Sequence, residues 1–470
     1  MDSWDTQRQP NISPAEGLVP DDRVKPGGPP QAPSVPPASG VSTPDASTHN
    51  LMEAILDGEN LKHALRRVRA NQGAPGVDGV TTDQLVDYLR AHWPTIRGQL
   101  WAGTYHPQPI RGVEIPKPTG GMRMLGIPNV IDRFIQQAVL QVLTPIFDPQ
   151  FSDHSYGFRP GRSAHQAVRQ VRRQAEAGAE WVVDLDLEKF FDRINHDILM
   201  ARVARRVQDP QVLRLLRRYL QAGLMLHGVS TPRTLGAAQG GPLSPLLANI
   251  LLDDLDKELE RRGLAFARYA DDAMILVHSR RAGERVLASV TRYLDRTLHL
   301  PVNLTKSAVD RLVRRTYLGF KFLKSRGHYR IGVAPESLRP VQRRLRELTD
   351  RHAPGRLAAR IQAVNRFLAG WMGYFALAET PTPLRELDSW IRHRFRAIVW
   401  RRWKRVRTRY RELRALGVPT WKVRELANAR KGPWRMAAGP LNSVLTVSYW
   451  DAQGLHRLLN LYEVTRLRWS

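Results

Sequence analysis

Two carboxylates stand side by side in Arg268-Tyr269-Ala270-Asp271-Asp272-Ala273-Met274-Ile275-Leu276-Val277, at a tight turn between apolar runs. Two acids drawn together against apolar strands are costly unless a cation offsets them, so the pair asks for a metal ion. An Asp-Asp in an ordinary turn is merely solvated; the apolar flanks and Tyr269 argue against that reading here. A second acid-tipped run precedes it: Trp181-Val182-Val183-Asp184-Leu185-Asp186-Leu187-Glu188-Lys189-Phe190-Phe191-Asp192. Period two puts Asp184 and Asp186 on one face of a strand. If that strand lies beside the hairpin, Asp186 meets Asp271 and Asp272 in a carboxylate cluster suited to two Mg²⁺ ions about 4 Å apart. That arrangement serves phosphoryl transfer, one ion activating a hydroxyl nucleophile and the other neutralising a pyrophosphate leaving group. Asp184 reads as structural.

Several elements must position these acids. Trp181 to Leu187 reads as a buried strand, and Ala265 to Val277 as a strand-turn-strand hairpin. Leu51, Ile55, Leu61, Leu65 and Val68 predict one helix over 51–68, stopped by the Gly/Pro-rich Asn71 to Gly79. Tyr105 to Pro128 is broken by Pro and Gly into short extended pieces, and Asp132 to Leu143 returns to a helical period. Helices and strands follow in irregular order, which favours an α+β fold over a doubly wound sheet. Beyond about Pro335 the pattern is helical and basic.

The chain has 470 residues with 42% hydrophobic and 25% charged, which excludes collagen-like and wholly disordered classes. Lys plus Arg is 72 against 44 for Asp plus Glu, a net +28 that selects polyanionic partners, nucleic acid first. The absence of cysteine removes disulfides, thiol catalysis and Cys-ligated metals. The amino terminus lacks a signal-like pattern and no apolar run reaches bilayer length, so a soluble, cytoplasmic protein without a membrane partner is expected. Residues 1–48 are Pro-rich and acidic, and read as a disordered tail. Residues 341–470 hold 27 Lys and Arg against 9 Asp and Glu. Within them, Ile391 to Tyr410 carries nine basic residues and no acid, with Phe395, Trp400, Trp403 and Tyr410 interleaved. Arg392, Arg394, Arg396, Arg401, Arg402, Lys404 and Arg405 are therefore the candidate nucleic-acid contacts. No internal repeat, P-loop or dinucleotide fingerprint is present.

From Leu51 onward the ordered blocks resemble the reverse transcriptases of bacterial group II introns. These blocks are Gly76-Val77-Asp78-Gly79; Ile115-Pro116-Lys117 with Arg123-Met124-Leu125-Gly126-Ile127-Pro128; Ser155-Tyr156-Gly157-Phe158-Arg159-Pro160-Gly161-Arg162-Ser163; and the Asp186 run. Gln239-Gly240-Gly241-Pro242-Leu243-Ser244-Pro245, the Tyr269 to Asp272 turn and Tyr317-Leu318-Gly319-Phe320 follow. The resemblance implies that Lys117 and Arg123 grip the incoming triphosphate and that Phe191 excludes a 2′-hydroxyl. It places Gln239 against the nucleotide, and Lys306, with Asn303 and Ser307, in the next motif, where a lysine protonates pyrophosphate. Tyr317, Leu318, Gly319 and Phe320 would form the primer grip. Ala238 stands where the family usually has proline, which loosens the placement of Gln239.

Phe367-Leu368-Ala369-Gly370-Trp371-Met372-Gly373-Tyr374-Phe375 resembles the family's thumb, or maturase, domain, although Trp371, Tyr374 and Phe375 fall at core spacing. Lys431-Gly432-Pro433-Trp434-Arg435-Met436 and the ending Leu461 to Trp469 are similar to the compact subgroup without an endonuclease. The implied fold is a right-hand polymerase: fingers and palm with an antiparallel sheet over 49–330, a helical thumb over 331–410, and a basic nucleic-acid-binding extension over 411–470. The implied activity is RNA-directed DNA synthesis with two Mg²⁺ ions, joined to binding of the intron RNA that assists its splicing. Intron RNA, an RNA template, a DNA primer, deoxynucleoside triphosphates and target DNA are the implied partners. A free-standing or defence-associated reverse transcriptase would keep the same catalytic blocks, whereas a pure splicing protein would normally have lost the acids.

Overall fold

The computed structural model describes residues 50–116, 121–226, 229–353 and 355–467. Lys117 and the Pro-rich stretch 1–48 lie outside them. The described chain divides into two compact units, the larger running to Glu336 and taking in Leu377–Pro383, the smaller comprising Ser337–Ala376 and the residues from Leu384 on.

The larger unit carries strands β1 (Ile110–Pro116), β2 (Met122–Ile127), β3 (Trp181–Leu185), β4 (Leu224–Leu226), β5 (Val229–Thr231), β6 (Ala265–Tyr269), β7 (Asp272–Val277), β8 (Ala308–Arg311), β9 (Thr316–Tyr317), β10 (Phe320–Ser325) and β11 (His328–Val333). They form three sheets, ordered β2-β1-β4-β5, β6-β7-β3-β8 and β11-β10-β9. In the second sheet every neighbouring pair is antiparallel. β3 and β7 lie at its centre with helices packed on the sheet, which explains their near-continuous apolar runs; Val182, Val183, Leu185 and Ala273 to Val277 are all buried. The helix Arg280–Tyr293 approaches so closely at Gly283 that an added Cβ would lie 2.5 Å from a Val309 methyl. The helix Ala164–Glu176 packs on β6 and β7, held at its start by a Ser163/Gln166 capping box.

One local expectation fails. Residues 51–68 form two helices, Leu51–Ile55 and Gly58–Asn71, because the Asp57 carboxylate accepts from the backbone N–H of Glu59 and Asn60 and starts a second helix. The helix expected over 132–143 extends to Val130–Phe147, and the broken stretch 105–128 contains the β1–β2 hairpin.

The smaller unit is helical throughout its described residues. Trp371 and Phe375 are fully buried with ring centroids 4.9 Å apart, in keeping with their core spacing. Phe395 and Trp450 meet at 5.6 Å. A separate cluster of Trp400, Leu413, Val423, Leu426, Met436 and Leu441 holds together the short helices Val406–Ala415, Thr420–Ala427 and Pro433–Ala438.

Candidate active site

The register of β3 on β7 pairs Asp184 with Met274 and Leu185 with Ala273. Asp186 follows Leu185 directly, and its charge is felt at both Asp271 and Asp272. On the other side Tyr269 pairs with Asp272, leaving Ala270 and Asp271 as the two-residue turn of the β6–β7 hairpin. One sheet end thus carries all three acids. Burial raises the Asp272 carboxyl well above the usual carboxylate range, and the neighbouring charges of Asp184, Asp271 and Asp186 push it further. Burial also raises Asp271; the Arg123 guanidinium opposes the shift and Asp186 adds to it.

Asp186 is held by the segment that follows Pro301. Its N–H donates to Ser307 Oγ at 3.0 Å, its carbonyl accepts from Asn303 N–H at 2.8 Å, and Lys306 Nζ stands 3.6 Å from its carboxylate. Asp184 is engaged differently: Arg315 Nε donates to it at 2.9 Å, the bond of a structural acid.

Among the described residues no group of three or more His, Cys, Asp or Glu side chains stands close enough together to hold a metal ion by itself. The donor set nonetheless fits Mg²⁺, which takes one or two carboxylates and completes its shell with water and substrate phosphate. Asp272 supports the fit: no hydrogen bond or ion pair from a described residue reaches its carboxylate, whose charge is disfavoured without a cation.

Of the expected nucleotide contacts, Lys306 stands beside Asp186 and Arg123 acts electrostatically on Asp271, whereas Phe191 and Gln239 are fixed by other neighbours. Arg123 is exposed on β2, and Lys117 falls outside the described residues. Phe191 is half-buried against Phe190, their rings 5.1 Å apart and near perpendicular. Gln239 is anchored through its carbonyl, which accepts from Gly126 N–H at 3.0 Å. Gly240 adopts φ 139°, where an added Cβ would lie 2.4 Å from the Gly126 carbonyl oxygen, so the loop docks on β2 through a residue without a side chain. Ala238 is itself buried, and its carbonyl accepts from Ser244 Oγ at 2.6 Å. Tyr317 and Phe320 are fully buried, with the Tyr317 hydroxyl donating to the Ala267 carbonyl at 3.0 Å. Leu318 and Gly319 form the turn between them, both at positive φ.

The basic helix Thr382–Arg402 divides its cations in a way that spacing did not reveal. Arg396 is buried and donates to the Leu445 carbonyl, Arg392 pairs with Asp388 at 2.8 Å, and Arg394 donates to Thr349. These three are occupied in holding the smaller unit together. Arg401 lies against His352 and Arg402, though exposed, donates to the Gly355 carbonyl, while Lys404 and Arg405, just past the helix, are exposed. Trp421, absent from the expected contacts, is 70% exposed beside Lys422.

Residues 115–322 match the family model of the reverse transcriptase (RNA-dependent DNA polymerase), and residues 338–417 that of the group II intron maturase-specific domain. Protein YkfC of Escherichia coli is 33% identical over 330 residues, covering 62% of this chain and 87% of that protein. The chain belongs to the group II intron reverse transcriptase and maturase family. The group II intron-encoded protein LtrA of Lactococcus lactis is 37% identical over 206 residues, 44% of this chain but 34% of LtrA, so the match spans about a third of that relative. A chain of a Cas6-RT-Cas1–Cas2 complex is 28% identical over 52% of this chain and 42% of its own, at a TM-score of 0.35, too slight a likeness to bear on the fold. The reverse transcriptase match takes in all three acids, and the maturase match takes in the basic helix.

Two positioning features of this family member had no adequate sequence signal. Arg315 meets Asp184 across a separation of 131 residues, which no local pattern encodes. Gly157 lies so close to the acidic turn that an added Cβ would stand 2.3 Å from Ala270 N.

Proposed function

We propose that Asp186, Asp271 and Asp272 hold two Mg²⁺ ions for RNA-templated DNA synthesis, and that the smaller unit binds intron RNA. The observation carrying this reading is the β3–β7 pairing, which puts the end of β3, followed directly by Asp186, at the sheet end where the β6–β7 turn carries Asp271 and Asp272. Bound there, the ions would lower the pKa of a primer 3′-hydroxyl and offset charge on the departing pyrophosphate. The chain's own residues supply the rest. Arg123 pairs with triphosphate oxygens, and the Phe191 ring stands where a ribose 2′-hydroxyl would otherwise fit. Gln239 lies against the nucleotide on a loop fixed by Gly240. Lys306 Nζ, beside Asp186, carries a proton that pyrophosphate can take. The right-hand arrangement of fingers, palm, thumb and basic extension, with the Leu318-Gly319 turn against the primer, belongs to the same reading.

Within the smaller unit, Arg402, Lys404 and Arg405 contact RNA phosphates and Trp421 offers a face on which an unpaired base stacks. Target DNA is the second polyanion this surface takes.

The test is to purify the protein from its native cell and sequence the RNA that accompanies it. Enrichment of one long structured RNA flanking the protein's own gene is expected. A diffuse mixture, or an unrelated small RNA, overturns the intron reading and leaves a free-standing polymerase.

A further inference from the structure

Beneath the acidic turn lies a guanidinium that the polymerase chemistry leaves unassigned. Arg268 is 1% exposed, and the Asp256, Asn249 and Ser155 side chains around it belong to residues 0%, 1% and 0% exposed. Its Nε donates to Asp256 Oδ1 at 2.7 Å and its Nη2 to Asp256 Oδ2. Nη2 also donates to Ser155 Oγ at 2.9 Å, while Nη1 donates to Asn249 Oδ1 at 3.0 Å and to the Ala270 carbonyl at 2.8 Å. These five bonds use every N–H that a guanidinium has.

The fifth bond ends on the turn itself. Ala270 adopts φ 58°, in the left-handed region, at a cost of about 1–2 kcal/mol for a residue with a Cβ. Such a conformation persists only where its surroundings over-determine it. Arg268 fixes the turn's carbonyl from below. From the side, the segment His154 to Gly157 runs along β6: Arg268 N–H donates to the His154 carbonyl and Tyr156 N–H to the Arg268 carbonyl. Asn249 joins the two supports, accepting from Arg268 and donating to the Gly157 carbonyl at 2.8 Å. A buried ion pair is a poor device for stability alone, since apolar replacements of similar volume often serve as well. A fork whose last N–H reaches the turn carrying Asp271 serves geometry.

We infer that Arg268, oriented by Asp256 and Asn249, is a positioning residue that locks the Ala270-Asp271 turn and thereby sets the placement of Asp271 and Asp272 for their cations. The inference rests on the polymerase reading above. Its test is the double variant Arg268→Met/Asp256→Leu, which removes both buried charges together, assayed by RNA-templated primer extension across a Mg²⁺ titration. Thermal stability within a few degrees of wild type, unchanged RNA affinity, at least a tenfold fall in kcat and at least a threefold rise in half-saturating Mg²⁺ are expected. Native kcat with a native Mg²⁺ requirement in the folded variant overturns the inference. Should the double variant not fold, Asn249→Ala carries the test, because it releases one N–H and leaves the ion pair intact. A several-fold loss of kcat with a raised Mg²⁺ requirement is expected, and wild-type values for both refute the positioning role. Wild-type protein in the same assay separates the two levels: if it makes no cDNA, the polymerase reading beneath the inference fails.

Discussion

Replacing Asp272 by asparagine should separate the cost of the site from its use. The Asp272 carboxylate is partly buried, faces the charges of Asp184, Asp271 and Asp186, and is raised well above the usual range by burial first and by those neighbours second. A raised carboxyl means that the ionised form opposes folding, so removing the charge favours the folded state. An uncompensated buried charge costs roughly 3–5 kcal/mol, and the solvent access that Asp272 retains reduces this to about 1–3 kcal/mol. Asp272→Asn should therefore raise the melting temperature of the metal-free protein by about 2–12 °C, at roughly 2–4 °C per kcal/mol. Catalysis moves the opposite way. On the proposed reading the change also removes a cation ligand, which forfeits several kcal/mol of transition-state charge stabilisation, so extension should fall by about a thousandfold or more. Calorimetry with and without Mg²⁺ adds a third reading: the wild type should gain about 1.4 kcal/mol at tenfold excess over its dissociation constant, and the variant should gain much less. A variant that melts below wild type in the absence of metal, or that keeps a tenth of its activity, would refute the reasoning.

Other expected outcomes follow from the same geometry. Phe191→Ala should raise incorporation of ribonucleotides relative to deoxynucleotides by tenfold or more in competition assays, because on the proposed reading its ring excludes the 2′-hydroxyl. Lys404→Ala/Arg405→Ala should weaken RNA binding and reduce the log–log salt slope by roughly 0.7–0.9 per lost phosphate contact, while leaving the melting temperature unchanged. Arg396→Ala should do the reverse, destabilising the smaller unit by about 1–3 kcal/mol through an orphaned Leu445 carbonyl, with an unaltered salt slope. Burial pushes the Asp132 carboxyl, which accepts from Tyr105 Oη at 2.8 Å, up to about 7. Its proton thus favours the folded state: the contribution is full below about pH 4 and is lost as pH rises through about 7, a decline in chemical denaturation that Asp132→Asn should flatten.

The central sheet was legible because its strands obey simple rules. β3 and β7 are buried on the sheet's interior, so their runs of Val, Ile and Leu are continuous, and the acids sit where those runs end. The break at Ala270-Asp271-Asp272 between two apolar runs identified the hairpin. Legibility failed where the cause was a single polar side chain or a distant partner. Asp57 broke an otherwise regular helical spacing by offering its carboxylate to two backbone donors. The basic helix looked uniform in sequence because a buried arginine and an exposed one are written alike; Arg396 is distinguished only by the Leu445 carbonyl, 49 residues away. The Arg268 network is likewise invisible to spacing, since its acceptors lie 2 to 113 residues away.

The most direct measurement is primer extension by the purified chain on a defined RNA template with deoxynucleotides and Mg²⁺, run beside Asp271→Asn at equal RNA occupancy. The wild type is expected to make full-length cDNA and the variant none, with matching RNA affinities. No cDNA from the wild type, or equal product from both proteins, would contradict the assignment of these carboxylates to cation-dependent DNA synthesis.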